Sequence, residues 1–179
     1  MAEAFINQVN RAVGIVTSSS NASIGVGLTW MSGISTAHVA IHDLVDNANF
    51  IAGTKVTQVG VSSVQLDRAS TNTVAATASN VSFLGPTTSY SSASATKSIL
   101  IGGTFANNTA NSVNLTVTVY DNSAETESQL AAKIPVPTGS SFVISDAGKT
   151  VLEGNDEVRV YCDTENAIDV NLSILKGVS

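Results

Sequence analysis

Val113, Leu115, Val117 and Val119 alternate with Asn114, Thr116, Thr118 and Tyr120. A period of two puts apolar side chains on one face of an extended chain, so this pattern predicts a strand over 113–120 with one buried face. Val158, Val160 and Cys162 repeat the pattern, as do Ile168, Val170, Leu172 and Ile174. Further strands are predicted over 98–106, 129–135 and 141–144. The connectors carry turn residues: Asn107-Asn108, Asp121-Asn122, Pro137-Thr138-Gly139, Asp146-Ala147-Gly148 and Glu153-Gly154-Asn155-Asp156. Six or seven short strands without a strong helix between them predict an all-β fold. Residues 98–179 read as an antiparallel β-sandwich, jelly-roll-like in character. Cys162 falls on the inward set of its strand and reads as a core residue rather than a nucleophile.

Residues 32–86 read as a second, smaller β module. Short apolar runs over 50–59, 61–66, 71–78 and 81–84 are separated by Gly, Ser and Asn. The stretch 35–49 could be a helix capped by Ser35 or Thr36. The alternation of Val39 and Ile41 favours a strand. Residues 87–97 show no alternation and are rich in Ser and Thr, which predicts a linker between the two units. Residues 1–31 are expected to hold an N-terminal arm and a first strand. Phe5, Ile6, Val9 and Val13 suit a short amphipathic helix or an arm that docks on a neighbouring subunit.

Charge changes the picture more than hydrophobicity does. Only 12% of residues are charged, whereas Ser and Thr together supply 43 of 179. No Asp, Glu, Lys or Arg lies between Arg11 and Asp43, or between Arg68 and Lys97. Long uncharged stretches rich in Ala, Val, Ser and Thr suggest surfaces that face other protein, because interface cores are depleted of charge. Eight Lys and Arg in a chain of net charge -6 cannot build a basic face, so neither nucleic acid nor an anionic membrane is an expected partner. The N-terminus lacks the pattern of a secretory leader, so folding in the cytoplasm where the chain is made is expected. One cysteine leaves no intrachain disulfide.

Several segments resemble the small structural proteins of tailed bacteriophages, of the marine and cyanobacterial type. They are the opening Met1-Ala2-Glu3-Ala4-Phe5 with Val13-Gly14-Ile15-Val16, and Lys133-Ile134-Pro135-Val136-Pro137-Thr138-Gly139-Ser140-Ser141. Val151-Leu152-Glu153-Gly154-Asn155-Asp156-Glu157-Val158-Arg159-Val160 and the closing 166–175 complete the set, a little over half of the chain. The middle unit, with Ile51-Ala52-Gly53-Thr54-Lys55-Val56 and then Val64-Gln65-Leu66, is similar to β modules of phage fibre and surface proteins. The short relatives lack roughly 32–94, which here reads as an added module. The resemblance implies a virion structural protein of β-sandwich architecture and no enzyme. It leaves capsid decoration, neck or collar, and tail attachment all open.

Candidate chemistry is sparse. In the cluster His38, His42 and Asp43, a strand or a helix could bring the two imidazoles near one metal ion, but a third ligand is not assured; hydrogen bonding of the histidines at a subunit contact is the plainer use. Asp121, Glu125 and Glu127, and then Glu153, Asp156 and Glu157, form two acidic loops without calcium-loop spacing and read as solvated turns. Neither a nucleophile elbow nor a phosphate-cradling loop is present. Trp30, Phe50, Tyr90 and Tyr120 could offer a sugar-stacking platform, with Tyr90 the one expected to be exposed.

The expectation is therefore an accessory (decoration or cement) subunit of a virion, with no cofactor and no metal. It binds other virion proteins through Phe5, Ile6, Val9 and Tyr90 and through uncharged β surfaces. A homo-oligomer, trimer before dimer, is expected. The alternative is a neck, collar or fibre-like protein with host-glycan binding through the middle unit.

Overall fold

The computed structural model describes residues 3–145 and 149–178, and every regular element in them is a β-strand. The turn expected at Asp146-Ala147-Gly148 lies outside the described residues. The chain divides into two compact units, the first built from Met1–Val13, Pro86–Cys162 and Asn166–Ser179, the second from Gly14–Gly85 with Asp163–Glu165.

The first unit is a two-sheet sandwich. One sheet holds β1 (Ala4–Asn10), β15 (Ile168–Val178), β9 (Lys97–Asn107) and β12 (Ser141–Ile144) in that order, with β13 (Thr150–Leu152) also paired to β9. The other holds β11 (Thr126–Val136), β10 (Val113–Asp121), β14 (Glu157–Cys162) and β8 (Thr87–Ser91). All pairs are antiparallel and they nest. β1 pairs with β15, β8 with β14, β9 with β12 and β13, and β10 with β11. A chain whose first half pairs strand by strand with its second half, as one long hairpin rolled into two sheets, is a jelly roll.

The alternation read from the sequence explains the core. Leu115, Val117, Val158, Val160, Cys162, Val170, Leu172 and Ile174 all point inward and are buried, with Leu100 and Phe105 from β9. Phe142 packs against Phe105 with ring centroids 6.1 Å apart. Gly102 on β9 is required by close approach: a Cβ there would stand 2.8 Å from the Ile144 carbonyl oxygen on β12. Buried Asn107 satisfies its whole amide. Its Nδ2 donates to the Asn111 and Val136 carbonyls at 2.7 and 2.9 Å, and its Oδ1 accepts from Thr109.

Two expectations for this unit are corrected. The N-terminal segment is neither a helix nor a free arm, because β1 forms the edge of the first sheet along its whole length. Two inward positions of β1, Gln8 and Asn10, are polar, which hid its period of two. The expected linker 87–97 contains β8, whose hydroxyls are used inside the fold. Tyr90 Oη and Ser98 Oγ lie 2.8 Å apart, and Ser92 Oγ lies 3.0 Å from Ser98 Oγ. The short strand β13 was not foreseen.

The second unit is a six-stranded sheet, with β4 (Leu44–Asp46), β7 (Ala76–Leu84), β2 (Ile15–Ile24), β3 (Trp30–Ser32), β6 (Ser63–Leu66) and β5 (Val56–Val59) in that order. Its core gathers Ile24, Met31, Val45, Phe50, Val56, Val64, Leu66, Val81 and Phe83. The boundary expected after residue 86 lies between Gly85 and Pro86. The unit begins at Gly14 rather than at 32, because β2 pairs with β7 and β3. Of the expected run 71–78 only 76–78 is a strand, and it continues through 81–84 as the single strand β7, where Ala78 (φ 54°) breaks the alternation. Of 35–49, only Leu44–Asp46 is a strand.

Candidate interaction face

The outward positions of the five-stranded sheet line up across four strands. Phe5 on β1 faces Leu175 on β15, Leu175 faces Ile99 on β9, and Ile99 faces Val151 on β13. This is a continuous apolar row perpendicular to the strands. Phe5 is 77% exposed and Val151 56%, with Leu175 and Ile99 half-buried between them. A second row runs Val9, Asn171, Thr104, Val143, capped at both ends by exposed valines. Between Asp169, which faces Ala106 at one end, and Lys97 at the other, no paired outward position is charged. Both flanking charges have partners, Arg11 at 3.9 Å for Asp169 and Glu153 at 3.1 Å for Lys97.

Two of the four end strands of the sandwich, β11 and β1, differ in the same sense. β11 carries Glu127, Lys133 and Pro135, the residues that keep an edge strand from recruiting another chain. β1 is a sheet edge made of Ala4-Phe5-Ile6-Asn7-Gln8-Val9-Asn10, with no charge and no proline.

The expected partner-binding residues are thus divided. Phe5 and Val9 stand on the outer face. Ile6 points inward and packs against the core. Tyr90, expected to be exposed, is 7% exposed and hydrogen-bonded to Ser98, because β8 turns its ring into the sandwich. Leu175, Ile99, Val151 and Val143 were missed. Their signal was present in Ile99-Leu100-Ile101 and Ile174-Leu175, where alternation gives way to consecutive apolar residues, the mark of a strand covered on both faces.

The other candidates take structural places. His38 and His42 are exposed turn residues at φ 63° and 79°, on neither a helix nor a strand. Asp43 is buried and accepts the Ala40 N–H at 2.8 Å. Burial pushes its carboxyl above the usual range, against that hydrogen bond. Asp121 accepts the Ala124 and Ser123 N–H groups and the Ser123 hydroxyl, which hold its carboxyl low. Asp156 accepts the Glu153 and Asn122 N–H groups at 2.8 and 3.0 Å and so ties two turns together. For Glu157, burial pulls upward, but the Thr88 hydroxyl and the Arg159 guanidinium at 2.8 Å outweigh it, and the carboxyl sits low. The same guanidinium covers the Tyr120 ring at 3.9 Å. Phe50 is buried, whereas Trp30 is 45% exposed, in register with Gln65, which in turn faces Gln58. Among the described residues, no three of His, Cys, Asp and Glu come together as a metal site.

No protein-family model, curated protein or solved structure matches the chain.

Proposed function

We propose that this chain is a structural subunit of a bacteriophage particle, an accessory protein that cements or decorates the assembled capsid. The observation that carries the reading is the row Phe5–Leu175–Ile99–Val151, an exposed apolar band across an uncharged sheet face. Soluble chains scatter their exposed hydrophobic residues, and a contiguous band marks a surface that another protein covers. The undefended edge of β1 borders the same face and offers backbone groups to a neighbour. The jelly roll, an architecture used in viral capsid and lectin domains, and the sequence resemblance support the same reading.

The mechanism is mechanical. Each docked copy removes apolar area from water at about 25 cal/mol per Å². Contacts that are weak one by one gain strength on a repeating lattice, where neighbouring copies hold one another in place. The partners are the major capsid protein and further copies of this chain.

A second reading has its own observation. Exposed Trp30 beside Gln65 and Gln58 combines a ring face with amides, which suits a sugar, and supports a neck- or tail-attached protein that touches host glycan. Labelling the chain in purified particles separates the readings. Label over the capsid shell supports the cement role. Label at the neck or tail favours the second, and particles without the chain overturn both.

A further inference from the structure

β1 and β8 are the end strands of the two sandwich sheets, and a cleft of about 350 Å³ runs along them. Its lining is polar where a sandwich is normally aliphatic. From β1 the inward residues Gln8 and Asn10 follow Ile6, and from β8 come Thr88 and Ser89. Two of these groups lack partners. Asn10 Oδ1 and Ser89 Oγ are both buried without a hydrogen bond, and Ser89 is only 3% exposed. Buried polar atoms are almost always paired, so two orphans in one cleft point to a missing partner.

The backbone accounts for Ser89. Tyr90 faces Val158 and Thr88 faces Arg159, which leaves Ser89 as the extra residue of a β-bulge. The bulge turns Ser89 inward beside Tyr90, and bulges of this kind re-aim side chains at functional sites. At the other end of β1, Lys176 lines the cleft opposite Ala4. Among the described residues no carboxylate lines the cleft with it, and the Thr88 hydroxyl donates to the Glu157 carboxylate at 2.7 Å.

We propose that this cleft binds a short saccharide that carries a carboxylate, a uronate oligomer. Amides and hydroxyls that both donate and accept suit ring hydroxyls, and Ile6 offers an apolar patch for a ring face. The Lys176 ammonium suits the carboxylate. Ala4 to Asn10 spans about 20 Å of strand, which favours two or three rings over one. The site lies in the first unit, and none of its lining residues belongs to the apolar row of the outer face.

The test is calorimetric titration of the full chain with trimers of galacturonate, glucuronate and mannuronate, and with their methyl esters. Saturable binding of at least one acid trimer is expected, with its ester about tenfold weaker. Lys176→Met should erase the difference between acid and ester. Ser89→Ala, which is nearly isosteric, should weaken both while leaving the circular dichroism unchanged. No saturable heat with any acid trimer overturns the proposal, as does binding that neither variant alters.

Discussion

Phe5 on β1 stands directly opposite Leu175 on β15, and both side chains lie on the outer face of the sheet. Its neighbour Ile6 faces Ile174 and packs into the core. Adjacent residues of one strand therefore serve different ends. Phe5→Ser is expected to change stability by no more than about 0.5 kcal/mol, since exposed positions tolerate substitution. Ile6→Ala should cost about 1–3 kcal/mol through lost packing. Urea denaturation of the two variants checks the contrast.

Removal of 3–11 should lower the melting temperature and not merely release an arm. Without β1, strand β15 becomes the bare edge, and inward Leu172 and Ile174 lose their cover from β1. A melting curve unchanged by the truncation would contradict the placement of β1 in the sandwich.

Asp156 is 5% exposed and holds two backbone N–H groups from different turns. Asp156→Ala leaves both donors without their acceptor and should cost about 2–4 kcal/mol. Asp156→Asn keeps one acceptor oxygen and should cost less. The order of the denaturation midpoints, wild type above Asn above Ala, is the readout.

Two carboxyls give opposite pH signatures. The Glu157 carboxyl is held below its ordinary value, so its contribution is fully present above the unfolded pKa and is lost as pH falls through the folded one. Glu157→Gln should therefore be less stable than wild type at pH 7, with the gap closing in acid. Asp43 is raised by burial, so its protonated form favours the fold and its charged form costs stability at neutral pH. Asp43→Asn should be more stable than wild type at pH 7, and that advantage should also vanish in acid. Melting temperatures measured from pH 7 down to about 2.5 separate the two signs.

Much of the sandwich was legible in the sequence because its inner strands alternate strictly. Ile168 to Ile174 declare one buried face, whereas in Val113 to Val119 the polar face is covered too, with Thr116 and Thr118 buried. Where inward positions are polar, as at Gln8 and Asn10, alternation in hydrophobicity disappears although alternation in direction remains; at Ser89 a bulge breaks the direction as well, and β1 and β8 were misread. Tyr90 looked exposed because its neighbours are hydroxylic, yet Ser92 and Ser98 are buried and spend their hydroxyls on one another and on the tyrosine. The apolar row was hidden for another reason. Its four residues are 5, 99, 151 and 175, and only strand pairing brings them into line.

Central to the proposed function is attachment to a particle through the outer face of the five-stranded sheet. Incorporation of wild type and of the Phe5→Ser/Val151→Ser double variant into purified particles, quantified by mass spectrometry, tests it most directly. The expected result is a well-folded variant whose incorporation drops at least tenfold. Equal copy numbers for the two chains would contradict the claim.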